Sequence, residues 1–316
     1  MTQELTTTTP ANAQPAAAYL ASLAAGPGRA GMASELAKVA RIMGADDWRA
    51  VDWATLNAAN VAAILAKTEG APASRNKTRN CLRGVARAAW RMGLITSEEL
   101  GRINDIKPVK GSRDVAGRNV EAWELAQLMR SIANDRDEGR KVAAAIRDAA
   151  IIALAIKTGA RRDELGEITR SDIEWNTDRT ECTITVIGKG NKERALFVDN
   201  GAVKALAAWL NISQGLLNDA PLFTVISQKG EIGTRRLSNV ALHKILTNRA
   251  KAAGLKELSW HDFRRTFAGV LLDAGEDIAT VAQLMGHSNV TTTARYDRRP
   301  AEARRKAAKK ISVPVF

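Results

Sequence analysis

Apolar residues recur at three- and four-residue spacing from Ala16 to about Ile103, the period of helices that each bury one face. Breaks at Gly26-Pro27-Gly28, Gly44 with Asp46-Asp47, Gly70-Ala71-Pro72 and Gly93 divide this stretch into four or five short helices. Ahead of it, residues 1–15 carry Thr6 to Thr9 and Pro10 and are expected to form a disordered lead. Residues 106–118 mix Pro108, Gly111 and charge without an apolar period, which predicts a linker between a domain at 16–105 and a second at 119–316. Helical spacing resumes at Val120, Leu125, Leu128, Met129 and Ile132, and again from Val142 to Thr158. Residues 182–187 then alternate and are β-branched, Gly188-Lys189-Gly190-Asn191 turns the chain, and residues 194–198 return as a partner strand. From there the pattern predicts helix to about Lys310. The fold class is mainly α with a small antiparallel β-sheet: a helical first domain and an α+β second domain.

Composition narrows the partners. The chain has 316 residues, with Lys+Arg 47 against Asp+Glu 34 and a net charge of +13, while 45% of its residues are hydrophobic. That describes a folded basic protein rather than a disordered one. Nucleic acid is the first partner to expect, because each Lys or Arg that replaces a cation on an anionic polymer releases a counterion. Two cysteines, Cys81 and Cys182, exclude a disulfide framework and a multi-cysteine zinc site. The three histidines lack metal-ligand spacing, so neither metal nor other cofactor is expected. No uncharged apolar run is long enough for a membrane span, and the alanine-rich stretch from Pro15 has no basic segment before it, so a cytoplasmic location without membrane contact is expected.

Within the first domain, Arg79, Arg83, Arg87 and Arg91 follow at i, i+4 spacing with no acidic residue from Ser74 to Met92. On a helix they form one stripe of mutually repelling charge that an anionic backbone would relieve, which points to DNA contact. Leu82, Val85, Ala89 and Trp90 lie on other faces and are expected in the core.

Chemistry-bearing residues gather in three short polar segments. Gly159-Ala160-Arg161 with Glu164-Leu165 joins two apolar helices. His261 and Arg264 stand one helical turn apart in Trp260-His261-Asp262-Phe263-Arg264. Gly286-His287 precedes Tyr296, one of only two tyrosines. With the hairpin from Gly188 to Arg194, these motifs resemble the tyrosine recombinases, the phage-integrase class of site-specific DNA recombinases, and they occur in that family's order. Departures are small: Ala160 and Met285 stand where Leu is usual, and Asp297-Arg298 follows the tyrosine where His is common. The stretch from Thr78 to Ile95 resembles, more distantly, the family's helical core-binding (SAM-like) domain.

The residues already suit phosphoryl chemistry. Two guanidiniums, Arg161 and Arg264, can neutralise a phosphodiester through paired hydrogen bonds. Loss of one such donor costs about 2.7–4 kcal/mol of barrier in comparable oxyanion sites. A phenol titrating near pH ~10 needs a base or nearby positive charge to attack. The resemblance implies that Tyr296 is the nucleophile, His261 its base and His287 a hydrogen-bond donor to the phosphate. It implies a covalent 3′-phosphotyrosine and rejoining without metal or ATP. On the same resemblance Lys189 on the hairpin tip is expected to be the general acid for the leaving 5′ oxygen, with Lys192 its nearest substitute, and Glu164 to pin Arg161 or a neighbouring helix. Taken singly, Tyr296 can equally pack a core and Lys189 can be an ordinary basic turn residue.

Arg235 and Arg236 stand at the start of a helix running to about Ala253, whose polar face carries Asn239, His243 and Lys244. The resemblance sends this helix into the major groove; Arg235, Arg236 and Lys244 either read bases or hold phosphates. His243 receives no catalytic role. The family's assembly implies a homo-tetramer on two duplexes with inverted-repeat sites, an exchanged C-terminal tail (Ile311 to Phe316) and, where needed, accessory proteins, in the bacterial nucleoid. Two other readings share these residues: a type IB topoisomerase and a non-catalytic DNA-binding regulator.

Overall fold

The computed structural model describes residues 14–111, 117–138, 141–188, 192–287, 289–294 and 296. Contacts divide the chain into two compact units, Met1–Asp114 and Val115–Phe316.

The first unit is helical: α1 (Pro15–Ala21), α2 (Pro27–Ile42), α3 (Ala58–Lys67), α4 (Pro72–Arg91) and α5 (Ser97–Asp105). Proline opens α1, α2 and α4, where its missing N–H costs nothing. The side chains of Asn57 and Thr96 cap α3 and α5 by accepting the backbone N–H of Asn60 and Glu99. Leu36, Val39, Trp53, Val61, Leu82, Val85 and Ile103 fill its core.

The second unit runs α6 (Ala122–Asp137), α7 (Val142–Thr158), α8 (Arg162–Glu167), β1 (Ile173–Trp175), β2 (Cys182–Gly188), β3 (Lys192–Val198), α9 (Asn200–Ile212), β4 (Thr224–Ile226), β5 (Ile232–Arg236), α10 (Asn239–Ala252), α11 (Trp260–Asp273), α12 (Ile278–Leu284) and α13 (Val290–Ala294). The core is organised around α7, whose Ile151, Ile152 and Leu154 are fully buried. The sheet has strand order β1-β2-β3, antiparallel throughout, with Ile184 paired to Leu196 and Val186 to Arg194. Alternation on β2 sends Cys182, Ile184 and Val186 inward. A buried ion-pair chain crosses the unit: Asp148 binds Arg147 at 2.8 Å and Arg249 at 2.8 Å, and Arg249 reaches Asp135 at 2.6 Å.

Several local expectations need correction. The chain is not helical throughout from Val198 to α10: after α9, β4 and β5 pair antiparallel, turning at Gly230. β4 has only three residues, and the burial of β5 does not alternate along its five. Arg235 and Arg236 accordingly end β5 instead of opening α10, which starts after the capping hydroxyl of Ser238. Gly117 and Arg118, expected in the linker, are bound to α11: Arg118 N–H donates to Asp262 Oδ1 at 2.7 Å, and Arg265 donates to the Gly117 carbonyl at 2.7 Å. Trp90, expected in the core, is 42% exposed, with its indole N–H on Ser97.

Candidate active site

The chain reverses at Gly159, the C-cap of α7, at φ +58°, a left-handed conformation that favours glycine. A Cβ at Gly159 would fall 2.6 Å from the ring of Phe267, so the turn presses against α11. Arg161 follows at the N-cap of α8, where its backbone N–H donates to Glu164 Oε2 at 2.8 Å. Its side chain leaves Nη1 on Glu164 Oε1 at 2.6 Å and Nη2 on the Gly286 carbonyl at 2.9 Å.

The N-terminus of α11 is set by a capping box in which Ser259 and Asp262 bond one another's backbone and side chain. The first turn that this fixes carries His261, and the next residue on that face is Arg264. Arg264 is 5% exposed. Its Nη1 donates to the Gly159 carbonyl at 2.6 Å, and Nη2 donates to the Met285 carbonyl and, at 2.9 Å, to Nε2 of His287. Burial, then the charges of Arg161 and Arg194, push the Arg264 guanidinium down to about 10, which leaves it charged at neutral pH.

Tyr296 follows α13 and is 6% exposed, with its backbone N–H on the Thr293 carbonyl at 2.8 Å. Its hydroxyl lies 3.2 Å from Nε2 of His261. His261 is exposed as a residue, yet desolvation of its ring, then the charge of Arg264, lower its pKa against the opposing pull of Asp262. A neutral imidazole beside the phenol is what a base for Tyr296 requires.

His287 also meets the tyrosine, its ring stacked at 18° and 6.2 Å between centroids. Burial, then the charges of Arg264, Arg161, Arg194 and His261, pull it down to about 4, so it is neutral near pH 7. Arg264 can only donate, so Nε2 of His287 accepts. The proton then sits on Nδ1, which donates to Thr293 Oγ1 at 2.8 Å. The expectation that His287 donates to a phosphate is therefore not met by this arrangement: Nε2 would first need a proton or an exchange of tautomer.

A cavity of ≈ 380 Å³ is lined by Arg161, Arg162, His243, Ser259, Trp260, His261 and Arg264. His243 and Arg162 were not assigned to the site by sequence, yet both border it. Arg194 and Thr293 were also missed. Arg194 had a legible signal, since it shares the inward parity of Leu196 and Val198 on β3, where a charge requires an explanation. Among the described residues no group of three or more His, Cys, Asp or Glu side chains is placed to hold a metal ion.

Lys189 lies outside the described residues, with Gly190 and Asn191; Lys192, at the start of β3, is exposed. Of the outer basic residues, Arg235 and Lys244 are exposed, while Arg236 donates to the Gly166 carbonyl at 2.5 Å and so is partly tethered. The stripe on α4 divides. Arg79 is 8% exposed and donates to the Ile106 carbonyl at 2.6 Å, and Arg83 donates to Asn104 at 2.8 Å. Arg87 and Arg91 are exposed. For Arg79 a backbone carbonyl takes the place expected of an anion, so it is a structural residue of its own unit.

A sequence profile of the phage integrase family matches residues 118–302, more than half of the chain, and the chain belongs to that family. The tyrosine recombinase XerC of Corynebacterium glutamicum is 36% identical over 151 residues, which cover 48% of this chain and 46% of that one. XerC of Corynebacterium efficiens is 32% identical over 208 residues, covering 66% and 61%. The chain thus spans about half the length of the curated relatives it matches. Its fold is that of the XerH site-specific recombinase bound to difH substrate (TM-score 0.61, 22% identity, 80% of this chain and 70% of that one). It is equally that of a lambda integrase dimer bound to a COC′ core site (TM-score 0.61, 20% identity, 89% and 92%). No described helix is long and apolar enough to cross a membrane.

Proposed function

We propose that this protein is a site-specific tyrosine recombinase that cuts and rejoins double-stranded DNA through a covalent 3′-phosphotyrosine at Tyr296. The observation that carries the reading is the Tyr296 hydroxyl at 3.2 Å from Nε2 of a His261 whose pKa is lowered, on the α11 turn that also carries Arg264. His261 takes the phenolic proton as the Tyr296 oxygen bonds to phosphorus and the bond to the 5′ oxygen breaks. Arg161 and Arg264 neutralise the phosphate and hold it for in-line attack. The departing 5′ oxygen takes a proton from Lys189 on the hairpin tip, or from Lys192 in its place. His287 fixes Arg264, and Glu164 fixes Arg161.

The phosphotyrosine conserves the energy of the broken bond, so reversal by a 5′ hydroxyl rejoins the strand without metal or ATP. Arg83, Arg87 and Arg91 on α4, and Arg235, Arg236 and Lys244 around α10, grip the duplex on this reading. Inverted-repeat sites on two duplexes, held by a homo-tetramer that exchanges its apolar C-terminal segment, complete the proposal; that segment, residues 311–316, lies outside the described residues. A bacterial nucleoid location and accessory proteins at some sites belong to the same reading.

Strand exchange tests it. Genomic fragments captured covalently by the protein supply the site, and two labelled duplexes carrying that site are then incubated with it. Recombinant products are expected. Relaxation of a supercoiled plasmid without exchange would instead support a topoisomerase, and specific binding without any covalent capture a regulator.

A further inference from the structure

The strand β3 delivers a third guanidinium to this site. Arg194 has a side chain only 10% exposed, with Nη2 2.6 Å from Glu164 Oε2. Its Nη1 donates to the Leu284 carbonyl at 2.5 Å, and its Nε is buried with no hydrogen-bond partner among the described residues. Glu164, 4% exposed on its side chain, stands between Arg194 and Arg161 and meets each at 2.6 Å. Gly286 closes the group: a Cβ there would lie 2.7 Å from Arg194 Cδ and 3.4 Å from Arg161 Nη1. The Gly286 carbonyl accepts from Arg161. One buried carboxylate thus joins β3, the start of α8 and the turn that carries His287.

The charges decide what Arg194 does. Arg161 paired with Glu164 alone is electrically neutral, and a carboxylate offered a single guanidinium tends to take it with both oxygens. Such a fork would draw Arg161 away from an incoming phosphate and cancel its charge. Arg194 occupies Oε2, restricts Arg161 to one side-chain contact with Oε1, and restores a net charge of one to the group. Burial of Glu164 alone would raise its carboxyl pKa. The Arg194 charge and the bonds from Arg161 and Arg194 reverse this, and the net direction is down, so the carboxylate stays ionised.

We propose that Arg194 is a positioning residue for phosphodiester cleavage, acting on the scissile phosphate through Glu164 and Arg161. The inference rests on the recombinase reading. Its test uses the full chain, a nicked duplex carrying the captured site, single-turnover cleavage at saturating protein, and DNA affinity measured in parallel. Arg194→Met should lose ~10–100-fold in cleavage rate, the scale seen when the outer partner of a ligand-holding side chain is removed. Its DNA affinity should be unchanged, and Arg194→Lys, which keeps the charge, should recover part of the rate. A wild-type rate for Arg194→Met would overturn the proposal. So would parallel loss of rate and affinity, or no recovery in Arg194→Lys, since either is what a purely structural role gives. If Arg194→Met melts below the assay temperature, Arg194→Lys against wild type decides alone: a smaller loss of rate at unchanged affinity is expected, and equal rates refute it. If the wild type cleaves no DNA, the recombinase reading falls and this inference with it.

Discussion

Arg264 donates to Nε2 of His287 at 2.9 Å, and the other ring nitrogen of His287 faces the hydroxyl of Thr293 at 2.8 Å. A fully buried threonine therefore selects the tautomer that steadies Arg264. Thr293→Val removes that partner while keeping the volume. It should cost about 1 kcal/mol, the net worth of one hydrogen bond, or roughly five-fold in cleavage. Thr293→Ser should retain most of the activity, and single-turnover cleavage of the two variants checks both.

Acid should weaken the site through its histidines. His287 is held at about 4 against an ordinary 6.5, so below that ordinary value the unfolded chain binds a proton that the folded chain refuses. Its contribution to stability is complete above about pH 6.5 and is lost as the pH falls towards 4. Melting temperature should decline across this window, and His287→Asn should decline less steeply. His261 is shifted in the same direction, so the acid limb of the cleavage rate should lie below pH ~6.5, the ordinary imidazole value.

Gly159→Ala should be doubly unfavourable. The φ of +58° alone costs a non-glycine residue about 1–3 kcal/mol, and the added Cβ meets Phe267 at 2.6 Å. Since the Gly159 carbonyl also receives Arg264, cleavage should fall further than the loss of folded protein explains. Thermal melting beside single-turnover kinetics separates the two effects.

The arginines of α4 should part company. Arg87→Ala and Arg91→Ala should each weaken DNA binding and reduce the salt slope by about 0.9, as expected for one lost phosphate contact. Arg79→Ala should instead lower the stability of the first unit, because its guanidinium is spent on the Ile106 carbonyl. Affinity measured over a salt series, with melting curves for the three variants, distinguishes these outcomes.

Long periodic helices and the β2–β3 hairpin were legible because a helix or strand buried on one face must repeat its apolar positions. The strands β4 and β5 were not, since β4 has only three residues and the five of β5 do not alternate between buried and exposed. The site was legible where glycine, arginine, histidine and tyrosine occur in short polar segments between apolar helices. What escaped was the layer behind them. Nothing in the three consecutive threonines marks Thr293 as the partner of His287, because the contact depends on how α13 turns back. The even spacing of Arg79 and Arg91 likewise hid a difference in burial set by the chain after α5. Arg194 alone advertised itself, as a charge at an inward strand position.

The central claim is the nucleophile. Protein incubated with its DNA site, denatured in SDS and digested should yield a peptide containing Tyr296 joined to the 3′ phosphate of a nucleotide, identified by mass spectrometry. Tyr296→Phe should bind the same DNA and yield no adduct. An adduct on any other residue, or capture by Tyr296→Phe equal to that of the wild type, would contradict the account.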